Sequence, residues 1–452
     1  MAKNGVLIGV WRAKNDVISF LDSCGVIYEK IENESRLSDF SHVFLFEKTS
    51  LDLFKKEQTV IDFTRKKRKS FVGSFMLPDE QVDVFSFVGD LALIASIPMD
   101  ITRQFPVIRK GFFIEQKKLP AEEIPLRDLG GLQRLFIHSL KKLFHSQGLL
   151  LTLKSFSPDP EKIPFLFRVD TDFCDKETIE NYYANIRCKD TLKTSWFVHC
   201  KPLSGGQELN TDDNIEAIPL NSNSPYGKYS PYGKYFGKDD EFALHCFSHN
   251  IRPTNENLEK GIEFLLKNGK KPLGYSAPYG VRRVEADIFL RQKHNFEYSS
   301  DFSFAADALP FWVERTGLWQ IPIFPLCVGS FRGVCSDEEK ITAVFERYFA
   351  RQFRYKIPFI IYDHPDHKEF SLLNKIFEAA LKYPILPMTF LEYSRFLEER
   401  KTATANSNFP TITFYPETTG EEITPLPKIS RFSPRLIKNT VINRFRRRKI
   451  EP

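Results

Sequence analysis

No C-x-x-C pair occurs among the seven cysteines, Cys24, Cys174, Cys188, Cys200, Cys246, Cys327 and Cys335, and their number is odd. Scattered thiols of this kind argue against a disulfide framework and against a zinc ribbon, and fit a reducing compartment. No apolar run approaches the ~20 residues of a membrane-spanning helix. The opening apolar segment, residues 6–11, is too short for a secretory leader. Gly5 and Gly9 make no G-x-G-x-x-G, so no phosphate loop is signalled. Charge of one sign is lacking too: 64 Lys and Arg stand against 58 Asp and Glu, and a net charge of +6 is too slight to argue for nucleic acid. A cytoplasmic protein without a nucleic-acid partner is expected.

What is present is apolar substance. At 452 residues and 42% hydrophobic content, with 43 Phe to fill a core, the chain has room for two or three domains. Residues 5–10, 26–31 and 41–46 read as strands and 16–23 as an amphipathic helix, a β-α-β opening. Short apolar runs at 60–63, 70–75, 82–88 and 91–97 extend it, so residues 1–125 are expected to be a small flavodoxin-like α/β domain. Its Lys66 to Lys69 run reads as a solvated face. Leu132, Leu135, Phe136, Leu140, Leu143 and Phe144 recur at helical spacing, giving a helix over 131–146 that Gly148 ends. Residues 126–160 thus read as helix and linker before a second domain over 161–400.

That domain opens on residues 165–173, Phe-Leu-Phe-Arg-Val-Asp-Thr-Asp-Phe, where an apolar run closes on two acids one residue apart. Side chains alternate along a strand, so Asp170 and Asp172 point to one side. Two like charges that close need a cation or a shared proton between them. The pair is either a metal ligand beside a general base, or two solvated acids of which one caps the helix expected over 176–187. A polar insertion over 201–240 holds a tandem Ser-Pro-Tyr-Gly-Lys-Tyr at 224–235, a lid over a sugar or anion or an ordinary long loop. His245 and His249 then stand at i and i+4, which on a helical turn lets two imidazoles reach one metal. A turn-rich loop at 274–280, Asp301 at a strand end, and a buried strand over 357–362 running into His364 and His367 follow. Strands and helices alternate to about 395, the pattern of a parallel barrel or sheet with its chemistry at the strand C-termini.

An Asp pair, a His pair, a Pro/Gly loop, an Asp and a His, in that order, resemble the NodB-homology polysaccharide deacetylases, over about half the chain. The resemblance implies an irregular (β/α)7 barrel. It also implies an amidohydrolase acting on linear amide C–N bonds of an N-acylated sugar, with one divalent ion, Zn²⁺ first and Co, Ni or Mn also fitting. Transferred residue by residue, it implies Asp170 as general base, Asp172, His245 and His249 as metal ligands, His364 as general acid and Asp301 as a residue that orients a catalytic group. His367 is the less favoured acid, and His199 lines the pocket. Arg168, Tyr275, Pro278 and Tyr279 are expected to bind substrate, and backbone N–H groups of 276–280 to form an oxyanion hole. The Arg-Val-Asp-Thr-Asp of 168–172 departs from the usual Thr-Phe-Asp-Asp-Gly. It resembles the Arg-x-Asp-x-Asp branch, which includes the deformylase acting on undecaprenyl-phosphate-linked 4-formamido-arabinose. Ser276 stands where many of these enzymes carry an Arg, so another residue has to orient the base, and Arg168 is the candidate. Cys246 replaces the Ser or Thr common after the first His.

Residues 401–434 read as a Pro/Thr/Ser linker. Beyond it, Leu436, Ile437, Val441 and Phe445 share a helical face among the basic residues of 435–449, which suits an anionic membrane surface, with RNA, a protein partner or a plain basic tail as alternatives. Together these features imply deacylation of a lipid- or nucleotide-linked saccharide in bacterial cell-envelope synthesis, peripheral to the inner face of the membrane. A non-catalytic carbohydrate-binding protein and a phosphoester hydrolase are the rival readings.

Overall fold

The computed structural model describes residues 7–415 except 63–107, 209–238 and the shorter stretches 14, 48, 51–52, 54–57, 110–112, 115–116, 119–122, 125–128, 173, 188–190, 202, 205–206, 251–252, 281–282, 302–308, 324–326, 334 and 405–406. The apolar runs at 70–75, 82–88 and 91–97, the Lys66 to Lys69 run, the tandem repeat at 224–235 and the basic segment 435–449 lie outside the described residues.

Ile8–Trp11 (β1), the helix Asn15–Ser23 (α1), Tyr28–Ile31 (β2), His42–Leu45 (β3) and Thr59–Asp62 (β4) open the chain. The strands pair in parallel in the order β2-β1-β3-β4, the order in which a doubly wound sheet begins. Alternation along the strands splits their side chains between two faces. Ile8, Val10 and Phe44 pack with Phe136, Leu140 and Phe144 of the helix Leu129–Ser146 (α2), while Trp11, Val43 and Leu45 pack with Leu37 and Phe40. Gly148, at φ 71°, turns the chain out of α2 into Leu151–Lys154 (β5).

The larger sheet is built from β-α units. Ile163–Asp170 (β6), Lys176–Asn185 (α3), Thr194–His199 (β7), Glu241–Cys246 (β8), Asn255–Lys267 (α4), Gly274–Tyr275 (β9), Val284–His294 (α5) and Tyr298–Ser299 (β10) come first. Phe311–Val313 (β11), Leu318–Gln320 (β12), Glu338–Arg354 (α6), Phe359–Asp363 (β13), Phe370–Ala380 (α7), Ile385–Pro387 (β14) and Phe390–Thr402 (α8) follow. The strands run in the order β11-β12-β10-β9-β8-β7-β6-β13, with β14 also pairing β6. Every pair is parallel except β11 with β12. The result is a curled, parallel-rich half-barrel. Among the described residues no helix is long and apolar enough to cross a membrane.

Two expectations are corrected. Residues 241–246 form strand β8, not a helical turn, so His245 and His249 do not share a helix face. Their spacing is bridged by a loop that doubles back after Cys246. The linker expected from 401 does not begin there: α8 runs to Thr402, and Thr411–Phe414 (β15) pairs antiparallel with β5, burying Ile412 and Phe414. Alternating Thr-Ile-Thr-Phe is a strand pattern set in a polar stretch.

Period-2 alternation decides what the half-barrel encloses. Phe165, Phe167, Val169, Trp196, Val198, Phe242, Leu244, Phe359 and Ile361 point outward into the core beneath the helices. Leu166, Phe197, Ala243, Ile360 and Tyr362 point inward. Arg168 and Asp170 belong to the inward set on β6, and His245 to the inward set on β8. The N-terminus of α8 plugs the lower end: Leu391 N–H donates to Glu241 Oε2 (2.9 Å) and Phe390 N–H to Ser195 Oγ (2.9 Å). The Ser195 hydroxyl donates to Glu241 Oε2 (2.8 Å) and the Tyr298 hydroxyl to Oε1 (2.6 Å), so this buried carboxylate joins β7, β8, β10 and α8. Burial raises the Glu241 pKa, and those donors oppose the rise.

Tyr298 reaches Glu241 by lying flat against Gly274, where any Cβ would overlap its ring. Gly274→Ala is therefore expected to displace Tyr298 and lower the unfolding free energy by about 1–3 kcal/mol, the usual cost of overpacking, in a urea melt. An unchanged midpoint would show that the Tyr298–Glu241 bond does not depend on this close approach.

Candidate metal centre

Arg168 and Asp170 sit two residues apart on β6, buried on the inward face at 1% and 3% exposure. The guanidinium Nε donates to Asp170 Oδ1 (2.6 Å) and Nη2 to Oδ2 (2.5 Å), a bidentate fork. Nη1 donates to the Ser300 carbonyl and to Ser300 Oγ (3.2 Å), and Nη2 also to Ser276 Oγ. The plane of the fork stacks over Phe197, 4.6 Å to the ring centroid. Burial works against the guanidinium's charge, but the adjacent Asp170 outweighs it and raises the Arg168 pKa. The guanidinium that holds Asp170 thus comes from the same strand, with Ser276 and Ser300 completing its hydrogen bonds.

Asp172 lies just past the end of β6, where the Thr171 hydroxyl accepts the His199 N–H (3.0 Å) and ties β6 to β7. The helix cap is Asp175, whose side chain accepts from Thr178 N–H, so Asp172 is not engaged as a cap. Instead its Oδ1 is 2.9 Å from His245 Nε2 and its Oδ2 is 3.0 Å from His249 Nε2. The two Nε2 atoms stand 3.1 Å apart. His245 Nδ1 bonds the Ser276 carbonyl (2.8 Å), which puts that nitrogen's proton on the far side and turns the Nε2 lone pair toward Asp172. His249 arrives from the loop after β8, clamped by Asn257, which accepts from Phe247 N–H (3.1 Å) and donates to the Ser248 carbonyl (3.0 Å).

These three donors fit a metal ion. Asp172 Oδ1 is buried and takes part in no well-formed hydrogen bond, although an imidazole nitrogen lies within 3 Å of it. Burial pushes the Asp172 pKa up, but His245, His249 and His364 outweigh it and hold the carboxyl well below its usual range. Burial likewise opposes charge on His245, and Asp172 overcomes it, raising the pKa. Positive charge is favoured at the point where the three converge. One carboxylate oxygen and two imidazole nitrogens, with the remaining positions open, are the donor set of a catalytic zinc-type site.

His364, one residue past β13, brings Nε2 to 3.5 Å from Asp172 Oδ2 and 3.9 Å from Asp170 Oδ2. Although burial disfavours the imidazolium, the Cys327 sulfur and Asp172 raise the His364 pKa well above the ordinary value. The five residues Asp170, Asp172, His245, His249 and His364 are therefore brought together. The others are not. Asp301 is fully buried and accepts the Ala277 N–H (2.7 Å), so it fixes the loop, and its charge also raises the Arg168 pKa. Arg168 is enclosed by its own partners and Tyr275 is part of the outer core at 1% exposure, so neither faces a substrate. Pro278 is buried, and the Tyr279 side chain lies outside the described residues. Ser276 N–H bonds Leu244, Ala277 N–H bonds Asp301 and Gly280 N–H bonds Ala277, so the 276–280 loop retains at most the Tyr279 N–H for an oxyanion.

Sequence reasoning missed Ser300, Asn257 and Asp363. Asp363 is fully buried beside His364; it accepts Gly329 N–H (3.1 Å) and the Tyr182 hydroxyl (3.2 Å), and burial lifts its pKa to about 6. Only its position next to His364 could have drawn notice. His199 lies beside His249, with the rings tilted at 57° and their centroids 5.7 Å apart.

No protein-family model matches the chain, and no curated protein does. Similar solved structures include a mutant of a CE4 family pseudoenzyme with restored enzymatic activity (12% identity, TM-score 0.32, 53% of this chain and 72% of that one). They also include a protein of Bordetella bronchiseptica assigned to polysaccharide deacetylation in O-antigen biosynthesis (10%, 0.27, 52% and 90%). A third is the 4-alpha-glucanotransferase of Thermococcus litoralis (16%, 0.32, 51% and 38%). At scores this low, only the site's own geometry bears on what it does.

Removing one member of a buried ion pair strands the other charge. Arg168→Met is expected to lower the unfolding free energy by about 3–5 kcal/mol in chemical denaturation, whereas a loss below about 1 kcal/mol would mean that Asp170 is solvated or protonated in the native site.

Proposed function

We propose that the chain hydrolyses the N-acyl group, acetyl or formyl, of an amino sugar. The observation that carries this is the convergence of Asp170, held in one orientation by Arg168, with the Asp172, His245 and His249 donors and with His364 across the same point. When bound at Asp172, His245 and His249, a divalent ion of the zinc type supplies Lewis acidity to the acyl oxygen and to the attacking water.

The rest is done by the chain. Asp170, held by Arg168, accepts a proton as water attacks the acyl carbon. Because both carboxylate oxygens are already bonded to the guanidinium, the carboxylate cannot rotate away between turnovers. His364 Nε2, on the side of Asp170 and Asp172, gives its proton to the sugar nitrogen as the C–N bond breaks, so the products are the free amine and the carboxylic acid. Ser276, through its carbonyl on His245 and its hydroxyl on Arg168, fixes both the donor cluster and the base.

The finer reading is a lipid- or nucleotide-linked saccharide of bacterial envelope synthesis. It is supported by the Arg-x-Asp-x-Asp arrangement, since the deformylase-like branch carries this pattern and here the Arg meets the first Asp directly. The basic, apolar segment 435–449 would hold the chain against an anionic leaflet where such a lipid-linked substrate resides.

Release of formate or acetate from a panel of N-formyl and N-acetyl amino-sugar conjugates tests the proposal. Asp170→Asn is expected to lower kcat by at least about 10²-fold, the lower end of what a positioned general base contributes, with the divalent ion still bound. Turnover undiminished in Asp170→Asn would remove the base assignment. Metal binding without acyl release from any conjugate would favour a carbohydrate-binding role.

A further inference from the structure

A second group of metal-type donors lies on the far edge of His364. Cys327 is fully buried, and its Sγ stands 3.6 Å from His367 Nδ1. The His364 and His367 rings are 5.2 Å apart, and donor atoms of Cys327, His364 and His367 all fall within 4.8 Å of one another. A tetrahedral zinc ion holds its sulfur and nitrogen ligands about 3.5 Å apart, so Cys327 and His367 already stand at the spacing of two ligands, and a small rotation of His364 supplies the third. His364 Nε2 is turned toward Asp172, and its buried Nδ1, on the other side of the ring, makes no well-formed hydrogen bond.

The surrounding backbone fixes this group. Gly329 N–H bonds Asp363 Oδ1 and Val328 N–H bonds the Tyr362 carbonyl (3.1 Å), which lock the segment after Cys327 onto the end of β13. His367 lies directly over Gly329, where any Cβ would overlap its ring. Pro365 opens the short turn that returns His367 toward His364, with Lys368 at φ 56° ending it.

We propose that Cys327, His364 and His367 form a second divalent-cation site, of the thiolate-containing zinc class, that shares His364 with the first site. One thiolate and two imidazoles are a soft to borderline set, selecting Zn²⁺, Co²⁺ or Cd²⁺ over Mg²⁺ or Ca²⁺. An ion there occupies Nδ1 of the imidazole whose Nε2 serves as proton donor. On the reading of His364 as the acid, excess zinc therefore inhibits by engaging that ring from behind.

Titration of the metal-free full-length protein with Co²⁺ reads the site without reference to turnover. Wild type is expected to take up a second equivalent accompanied by a thiolate-to-cobalt charge-transfer band in the near ultraviolet. Cys327→Ser should lose both the band and that equivalent, Cys174→Ser should keep both, and His249→Ala should keep the band while losing the other equivalent. Absence of the band in wild type, or its survival in Cys327→Ser, would overturn the proposal. Inhibition by excess Zn²⁺ should vanish in Cys327→Ser; equal inhibition in both proteins, with the band intact in wild type, would remove the regulatory consequence and leave both the second site and the first-site chemistry standing.

Discussion

A single buried ion pair organises the centre of this protein. Arg168 and Asp170 leave water together at the end of β6, and an ion pair in such a place is tolerable only when every remaining donor is satisfied. Ser276 and Ser300 do this from two neighbouring strand ends, and Phe197 covers the plane of the guanidinium. Those same partners set the site around it: Ser276 also fixes the tautomer of His245 through its carbonyl, and Ser300 continues into Asp301, which holds the loop that carries Ser276. Asp170, the donor cluster and the loop are therefore one hydrogen-bonded assembly.

Among the described residues, the buried charge on the half-barrel's inward face gathers at its two ends. At the lower end Glu241 receives the first N–H groups of α8 together with two hydroxyls, a buried acid used for structure. At the upper end, the C-terminal ends of the parallel strands, two carboxylates and three imidazoles meet, and Asp172 Oδ1 and His364 Nδ1 make no well-formed hydrogen bond. Their pKa directions show the tension: Asp172 is pulled down, His245 and His364 are pushed up, and burial opposes all three. The lower cluster is satisfied by the fold alone. The upper one is suited to an ion and a substrate.

Much of this was legible in the sequence because it follows from strand alternation. Arg168 and Asp170 at i and i+2 had to share a side once the apolar run from residue 165 was read as a strand, and Asp172 follows just past the strand's end. The His pair was assigned to the wrong element, a helical turn where the structure has a strand and a loop. Residues 241–246 alternate Phe242, Leu244 and Cys246 with Glu241, Ala243 and His245, a strand pattern that the i, i+4 spacing of the histidines overrode, and the loop that returns His249 leaves no pattern of its own. Tyr275 was assigned to substrate from its place in a motif, although β9 turns its ring outward into the core. Ser300 was invisible because it meets Arg168 132 residues away in sequence, Asn257 because it bonds backbone groups of a loop nine and ten residues earlier, and Cys327 because its partner His367 is 40 residues away. β15 was lost in a Thr/Pro-rich stretch whose only signal was four alternating residues.

The central claim is that Asp172, His245 and His249 hold a divalent ion. It is tested most directly by metal content, measured by mass spectrometry after loading with Zn²⁺ and desalting, in a Cys327→Ser background beside the same protein carrying His249→Ala. About one ion per chain is expected in the first, as for a single three-ligand site, and none in the second. No ion in either, or an ion that persists without His249, would contradict the account.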